Sequence, residues 1–203
     1  MNFLSHIYLS GENDLIRIGN FMGDFVKGKQ YDSLKKELQI GVLLHRKIDD
    51  YFDDIPLVKL DVELLRKYFG RYGGVALDLI YDYYLANNFS KYQTNCLRAF
   101  LFKFYADILN NRDELPNQVN LVSNRMIEQD WIFHYERLDG IKLVANMLQK
   151  RIGRDLNFNQ IDSVIVKHNA RFQSNFHIVF KEMIDFSQIE LNNLRSAING
   201  FSH

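Results

Sequence analysis

The sequence predicts an all-α fold, and three observations favour this class. Apolar residues recur at helical spacing over long stretches of the chain. Only 2 prolines occur in 203 residues, and both stand at breaks between these stretches. No run of alternating strand residues flanks a tight Asn-Gly or Asp-Gly turn. Because neither an internal repeat nor a flexible linker divides the chain, we expect one helical domain over residues 1–203.

The first helices are predicted from apolar spacing and from capping residues. The opening stretch, MNFLSHIYLS, fits either a short extended lead-in or a first helical turn. A helix is then predicted over residues 13–28, with Asn13 and Gly28 as its caps. Another helix is predicted over residues 33–54, where Ser33 is the candidate N-cap.

The rest of the chain continues the helical pattern. In order, helices are predicted in LVKLDVELLRKYF, VALDLIYDYYLANNF, TNCLRAFLFKFYADILNN, QVNLVSNRMIEQDWIFHY, LDGIKLVANMLQKRIG and FNQIDSVIVKHNARFQSNFHIVFKEMIDF. The last of these is long enough to be interrupted. A polar closing segment, SQIELNNLRSAING, is expected on the surface.

Composition excludes several classes of protein. Acidic and basic residues balance at 25 each, which argues against a general nucleic-acid binder. No apolar run approaches the roughly 20 residues that cross a membrane, and the opening stretch lacks a basic leader, so we expect a cytoplasmic protein. The single cysteine, Cys96, cannot form an internal disulfide, and we expect it to be a buried, inert thiol.

Polar residues interrupt the apolar pattern of two predicted helices at a spacing of four. Asn20 and Asp24 form one such pair, and Asp78 and Asp82 form another. Side chains four apart project from one side of a helix, so the members of a pair can converge on one ion. A carboxylate in an apolar helix is costly to bury unless a cation or a donor offsets it. Together with His6, these positions predict a metal centre, although a histidine alone is more often a satisfied core residue.

A third helix carries the stretch HRKIDDYFDD, which places His45, Asp49 and Asp53 along one side. Imidazole and carboxylate ligands in combination suit Mn²⁺, Fe²⁺ or Mg²⁺ better than structural zinc. The simpler interpretation is a solvated helix face. Asp50 is expected to face solvent, and Asp54, just before a proline, is a candidate cap for the next helix.

Several of these stretches together resemble one known family. MNFLSHIYLS, GNFMGDFVKG, LHRKIDDYFDDIP and LDLIYDYYLANNF are similar, in order and spacing, to the acyl carrier protein phosphodiesterases. The later stretches EQDWIFHYERLDGI and LQKRI fit the same pattern. The resemblance implies an all-α bundle related to a divergent branch of HD-type phosphohydrolases. It also implies hydrolysis of the phosphodiester that joins 4′-phosphopantetheine to a serine of the acidic acyl carrier protein, with a divalent cation, usually manganese.

The resemblance suggests a role for each polar position. We expect His6, Asp24 and Asp82 to hold the ion, which activates water and neutralises charge on phosphorus. The residues expected to act on water and substrate are His45, Arg46, Asp49 and Asp78. Of these, Asp49 or Asp78 would accept the proton of the attacking water, Arg46 would clamp the phosphate, and His45 would complete the ligand shell or protonate the departing serine oxygen.

Two alternatives remain open on the sequence. Tyr83 stands where members of the family often carry histidine, so the substrate could be a nucleotide or another small phosphoester. A helical bundle could also bind a carrier protein without chemistry. The expected partner is holo-acyl carrier protein, and we expect neither a nucleic acid nor a membrane as a partner.

Overall fold

The regular structure of this protein is helical in the two ranges that the computed structural model describes, residues 1–152 and 157–200, which confirms the all-α prediction. The α-helices of these ranges are α1 (Phe3–Tyr8), α2 (Asp14–Phe21), α3 (Lys36–Asp54), α4 (Pro56–Phe69), α5 (Gly73–Asn87), α6 (Leu97–Asn110), α7 (Asn117–Gln129), α8 (Leu138–Ile152), α9 (Ile161–Lys167) and α10 (Asn169–Gly200). Short 3₁₀ turns join several of them.

Helices α2 and α3 pack closely because two glycines face each other between them. A Cβ atom on Gly19 would collide with the carbonyl oxygen of Leu38, and one on Gly41 would collide with the carbonyl oxygen of Ile16. The absence of these side chains lets the two backbones approach. The C-terminal end of α2 consequently lies against the part of α3 that carries His45.

The core is built from large flat side chains and is continuous across the helices. Its largest fully buried members are aromatic: Tyr81, Tyr135, Phe21, Phe52, Phe104, Phe158, Phe172, Phe176 and Phe180. Helix α10 covers α3, α4 and α5. On α3, the ring of Tyr51 stacks on Phe186 of α10 with centroids 3.9 Å apart, and its hydroxyl donates to Glu182 at 2.6 Å.

A buried carboxylate joins α4, α5 and α10. Asp61 of α4 is fully buried and accepts hydrogen bonds from Tyr81 of α5 and from Arg171 and Asn175 of α10. The Arg171 contact is the shortest, at 2.7 Å. Because the acid has a partner on both helices, its burial is offset.

Several predicted helix ends were wrong. The first long helix ends at Phe21 rather than at residue 28, and a 3₁₀ turn over Gly23–Phe25 follows it. Asn13 does cap this helix, since its side chain accepts from the backbone N–H of Ile16. Gly28 has a φ of 53°, but it lies in a turn beyond the helix.

The next helix begins at Lys36, because Ser33 belongs to a preceding 3₁₀ turn and donates to the carbonyl of Gln30. The closing segment, expected to be separate, continues α10 without a break. Cys96 is exposed, contrary to the expected buried thiol, because it precedes the first residue of α6 as its N-cap instead of lying inside that helix. Among the described helices, none combines the length and the apolar character that a membrane crossing requires.

Candidate metal centre

Two buried histidines from different helices stack on each other. His6 of α1 and His45 of α3 have ring centroids 4.0 Å apart and planes inclined by 19°. Both rings are almost completely buried. Gly23 makes room for this arrangement, because a Cβ atom there would collide with the ring of His45.

Asn20 fixes the inner nitrogen of each ring. Nδ1 of His45 lies 2.9 Å from the backbone carbonyl oxygen of Asn20, and Nδ1 of His6 lies 2.9 Å from Oδ1 of the same residue. Both oxygens can only accept, so both Nδ1 atoms donate. The proton of each neutral ring is therefore on Nδ1, and the lone pair is on Nε2.

The two Nε2 atoms meet one carboxylate. Asp49 places Oδ1 at 3.1 Å from Nε2 of His6 and Oδ2 at 3.1 Å from Nε2 of His45. Ligand atoms of these three residues all lie within 4.8 Å of one another, so the group could hold a metal ion. Nε2 of His6 is buried and has no hydrogen-bond partner in the described structure.

This donor set fits a divalent cation. A lone pair opposite a carboxylate is unfavourable unless a proton or a cation lies between them, and Nε2 of His6 faces Asp49 in this way. Ligating histidines generally donate their second ring N–H to an acceptor that fixes the ring, as both do here to Asn20. Imidazole with carboxylate suits Mn²⁺ or Fe²⁺, although the geometry does not select one metal.

The two rings differ in their affinity for a proton. Burial, together with the neighbouring His45 ring, lowers the pKa of His6 to about 4. Burial also disfavours the charged form of His45, but hydrogen bonds to Asp24 and Asp49 outweigh it and raise the pKa of His45 to about 9. Despite partial burial, the two histidines hold the pKa of the Asp49 carboxyl well below its usual range.

Asp24 lies at the open edge of this group. Its Oδ1 is 3.4 Å from Nε2 of His45, and its side chain is 58% exposed. Burial of the carboxyl is outweighed by His45 and His6, so the pKa of Asp24 is lowered. Of the predicted ligands, Asp24 is therefore the one that reaches both the group and solvent.

Asp78 contacts the group through the amino group of Met1. The Met1 nitrogen lies 3.3 Å from Oδ1 of Asp49 and 3.3 Å from Oδ1 of Asp78. Burial raises the pKa of Asp78, although the amine opposes this effect. The structure thus brings together His6, His45 and Asp49, with Asp24 and Asp78 beside them.

Asp82, a predicted ligand, lies outside the group. It is fully buried, and its two oxygens accept the backbone N–H groups of Leu4 and Ser5, at 2.8 and 3.1 Å, and the hydroxyl of Ser5. Burial raises the pKa of Asp82 to about 7, against these hydrogen bonds. The carboxylate holds the first turn of α1, the helix that carries His6.

Arg46 faces a neighbouring turn. Its Nη2 donates to the carbonyls of Val26 and Gly28, at 3.0 and 2.7 Å, and its guanidinium lies over the ring of Tyr31. The segment that follows Asp24 is held in place by these contacts. The predicted phosphate contact of Arg46 stays a prediction.

Sequence reasoning gave no role to two residues that shape the site. Asn20 was included among the polar positions of the expected metal centre but was given no role of its own, and Gly23 was not singled out. The stretch GNFMGDF could have indicated both residues, because it places an amide and a glycine close to Asp24 in an apolar segment.

A separate cavity of about 460 Å³, between α10 and the chain around Tyr8 and Arg17, contains none of the predicted site residues.

The fold and the site together indicate a class of protein: all-α proteins with a buried cluster of imidazole and carboxylate groups suited to a divalent cation. A family model described as acyl carrier protein phosphodiesterase matches residues 1–183. The chain belongs to the acyl carrier protein phosphodiesterase family, a family of phosphoric diester hydrolases, which confirms the predicted resemblance.

Individual relatives agree with the family match. The chain is 28% identical to the acyl carrier protein phosphodiesterase of Yersinia pestis over 76% of its own length and 79% of the relative's. It is 26% identical to the protein of that name from Pectobacterium atrosepticum, over 94% and 99% of the two chains. It is 27% identical to the acyl carrier protein phosphodiesterase of Photorhabdus laumondii, over 91% of its own length and 94% of the relative's. No solved structure matches the chain significantly.

Proposed function

We propose that this protein hydrolyses the phosphodiester between 4′-phosphopantetheine and the serine of holo-acyl carrier protein, giving the apo carrier and free phosphopantetheine. The observation that carries the proposal is the convergence of two buried Nε2 atoms on Asp49, in a chain that belongs to this family. The cofactor would be a divalent cation, with manganese as the first candidate and Mg²⁺ or Fe²⁺ as the others.

In this proposal His6, His45 and Asp49 hold the ion, and Asp24 is the fourth ligand at the open edge. A bound divalent cation would lower the pKa of its water and neutralise charge on the phosphoryl group. In this proposal His45 is a ligand and does not protonate the leaving serine, because its Nδ1 contacts the carbonyl of Asn20 and its Nε2 faces Asp49.

Asp78 is the proposed proton acceptor. It lies beside Asp49 through the shared Met1 amine, and burial raises its pKa above that of an ordinary carboxyl group, which makes it a stronger base. Asp82 is proposed as the residue that positions His6, because it fixes the first turn of α1 through two backbone N–H groups.

The proposed docking rim for the acidic carrier is the segment that Arg46 holds beside Asp24. This segment exposes Lys27 and Lys29. Lys35, which directly precedes α3, instead pairs with Glu114 at 2.9 Å. A positive rim would steer an acidic partner towards the site, and its effect would weaken with added salt.

The test is a mass measurement on the carrier. Purified protein, Mn²⁺ and holo-acyl carrier protein are incubated, and the carrier should lose the mass of phosphopantetheine. His45→Ala should abolish this loss, whereas His168→Ala, which changes a histidine bonded to Tyr68 on another surface, should leave it intact.

Two outcomes would contradict the proposal. Cleavage of small phosphodiesters or nucleotides with an unchanged carrier would favour the substrate class that Tyr83 leaves open. Carrier binding with no cleavage of either substrate, and with no bound metal, would instead identify a non-catalytic module.

A further inference from the structure

One residue holds both histidines of the proposed centre. Asn20 uses two different acceptors, its backbone carbonyl oxygen for His45 and its side-chain Oδ1 for His6. Asn20 lies in the last turn of α2, where carbonyls lack a partner four residues on, so its oxygen can accept from the His45 ring in addition to the backbone N–H of Met22. Each contact is 2.9 Å long, a normal hydrogen-bond length.

The side chain of Asn20 is poorly suited to a purely structural role. It is completely buried, and its Nδ2 has no hydrogen-bond partner in the described structure. A buried amide with an unpaired donor destabilises a fold, since that donor has lost its water. An apolar side chain of similar size would avoid this penalty, so stability alone does not account for an asparagine here.

We propose that Asn20 is a positioning residue: its side chain sets the tautomer of His6 and its carbonyl orients His45, so that both Nε2 atoms face the site beside Asp49. This inference rests on the proposed metal centre and adds the residue that prepares it. The two contacts differ in kind. The contact with His45 uses the backbone carbonyl, so it does not depend on the side chain at position 20. The contact with His6 requires a side-chain acceptor.

Loss of that acceptor would change where the proton of His6 resides. Without Oδ1, a proton on Nδ1 would be buried unpaired. On Nε2 it could instead be donated to Asp49, whose Oδ1 is only 3.1 Å away. The ring would then present an N–H where a ligand needs a lone pair. Mutation of a residue that orients a ligating histidine typically lowers metal affinity by about 10–100-fold.

The experiment compares Asn20→Leu, Asn20→Asp and Asn88→Leu with the wild type. Asn88 is a matched control, because it is also buried and its Nδ2 donates to the carbonyl of Tyr84 at the end of α5. Titration of each protein with Mn²⁺, followed calorimetrically, should show affinity about 10–100-fold weaker for Asn20→Leu. Asn20→Asp, which keeps an acceptor for His6, should restore affinity to within a few-fold of the wild type, and Asn88→Leu should leave it unchanged.

A second readout does not depend on metal. Long-range ¹H–¹⁵N spectra of the metal-free protein report which ring nitrogen is protonated. In Asn20→Leu, His6 should move its proton to Nε2, while Nδ1 of His45 should stay protonated. If Asn20→Leu fails to fold, Asn20→Ala removes the same acceptor with a smaller side chain.

The outcomes separate this inference from the proposed function. If the wild type does not bind Mn²⁺, the metal centre itself is wrong, and the spectra alone decide the role of Asn20. If the wild type binds but Asn20→Leu binds equally well, or His6 keeps its tautomer in that variant, Asn20 does not position the ring and the inference is overturned.

Discussion

At the scale of single residues, His45 makes the candidate centre sensitive to pH. Its pKa is raised to about 9, against burial, by hydrogen bonds to Asp24 and Asp49. At neutral pH and without an ion, the ring therefore carries a proton on Nε2. A ligand nitrogen must be free of its proton, so an ion and this proton compete for one position.

This competition predicts that Mn²⁺ binding strengthens as pH rises. Below about pH 9 each added pH unit should improve the affinity about tenfold, because one proton is displaced for each ion bound. Calorimetry at pH 7 in two buffers of different ionisation enthalpy should show the release of about one proton. His6 adds no second proton in this range, since its pKa is about 4. A constant affinity between about pH 7 and pH 9 would contradict the assignment of His45 as a ligand.

At the scale of elements, the turn after α2 determines where the ring of His45 can lie. A Cβ atom at Gly23 would meet the Cβ atom of His45 and the Cγ and Cδ2 atoms of its ring. Because the Cβ atom of His45 is fixed to the backbone of α3, rotation of the ring alone cannot relieve this clash, and the turn or α3 must shift. A side chain at position 23 would therefore disturb both the packing of the turn on α3 and the contacts of the ring with Asn20 and Asp49.

Gly23→Ala should accordingly weaken Mn²⁺ binding by about tenfold or more and destabilise the fold by about 1–3 kcal/mol. Gly74→Ala is the matched control, since an added Cβ there meets nothing within 4 Å. Calorimetric titration and thermal melting of both variants provide the comparison. Wild-type affinity in Gly23→Ala would show that the position of the His45 ring does not matter for binding.

Helix identity could be predicted from the sequence, whereas contacts between helices could not. Apolar spacing and Asn13 identify α2, and the i, i+4 spacing places His45 and Asp49 on one face of α3. Asp82 shows the limit. Its spacing from Asp78 indicates a buried acid, but its partners Leu4 and Ser5 lie 78 and 77 residues away and are brought to it only by tertiary packing.

At the scale of the whole molecule, the buried Asp61 network is a second cluster of polar groups, outside the candidate metal centre, that stabilises the fold. It joins α4, α5 and α10 through Tyr81, Arg171 and Asn175. Both oxygens of this carboxylate accept from protein donors, and, unlike Asp49, it faces no buried ring nitrogen that lacks a partner. Burial of an acid alone therefore does not identify a functional residue in this chain.

Asp61→Asn should lower the free energy of unfolding by about 2–3 kcal/mol, because an NH₂ group would replace one of the two oxygens that accept from its neighbours. Urea denaturation measures this loss. Mn²⁺ affinity should be unchanged. Asp54→Asn is the control, since Asp54 pairs with Lys59 on the surface and its side chain is 83% exposed, so it should not change stability measurably. A variant as stable as the wild type would show that the network contributes little.

The hydrogen bonds from α1 to Asp82 also bear on the order in which the site is assembled. The ribosome synthesises His6, Asn20, His45 and Asp49 before it reaches α5. A nascent chain that ends ahead of α5 thus contains both imidazoles and the carboxylate between them, but lacks the acid that anchors the first turn of α1. We therefore expect the proposed cation site to reach its full affinity only after Asp82 has been synthesised and has packed against α1.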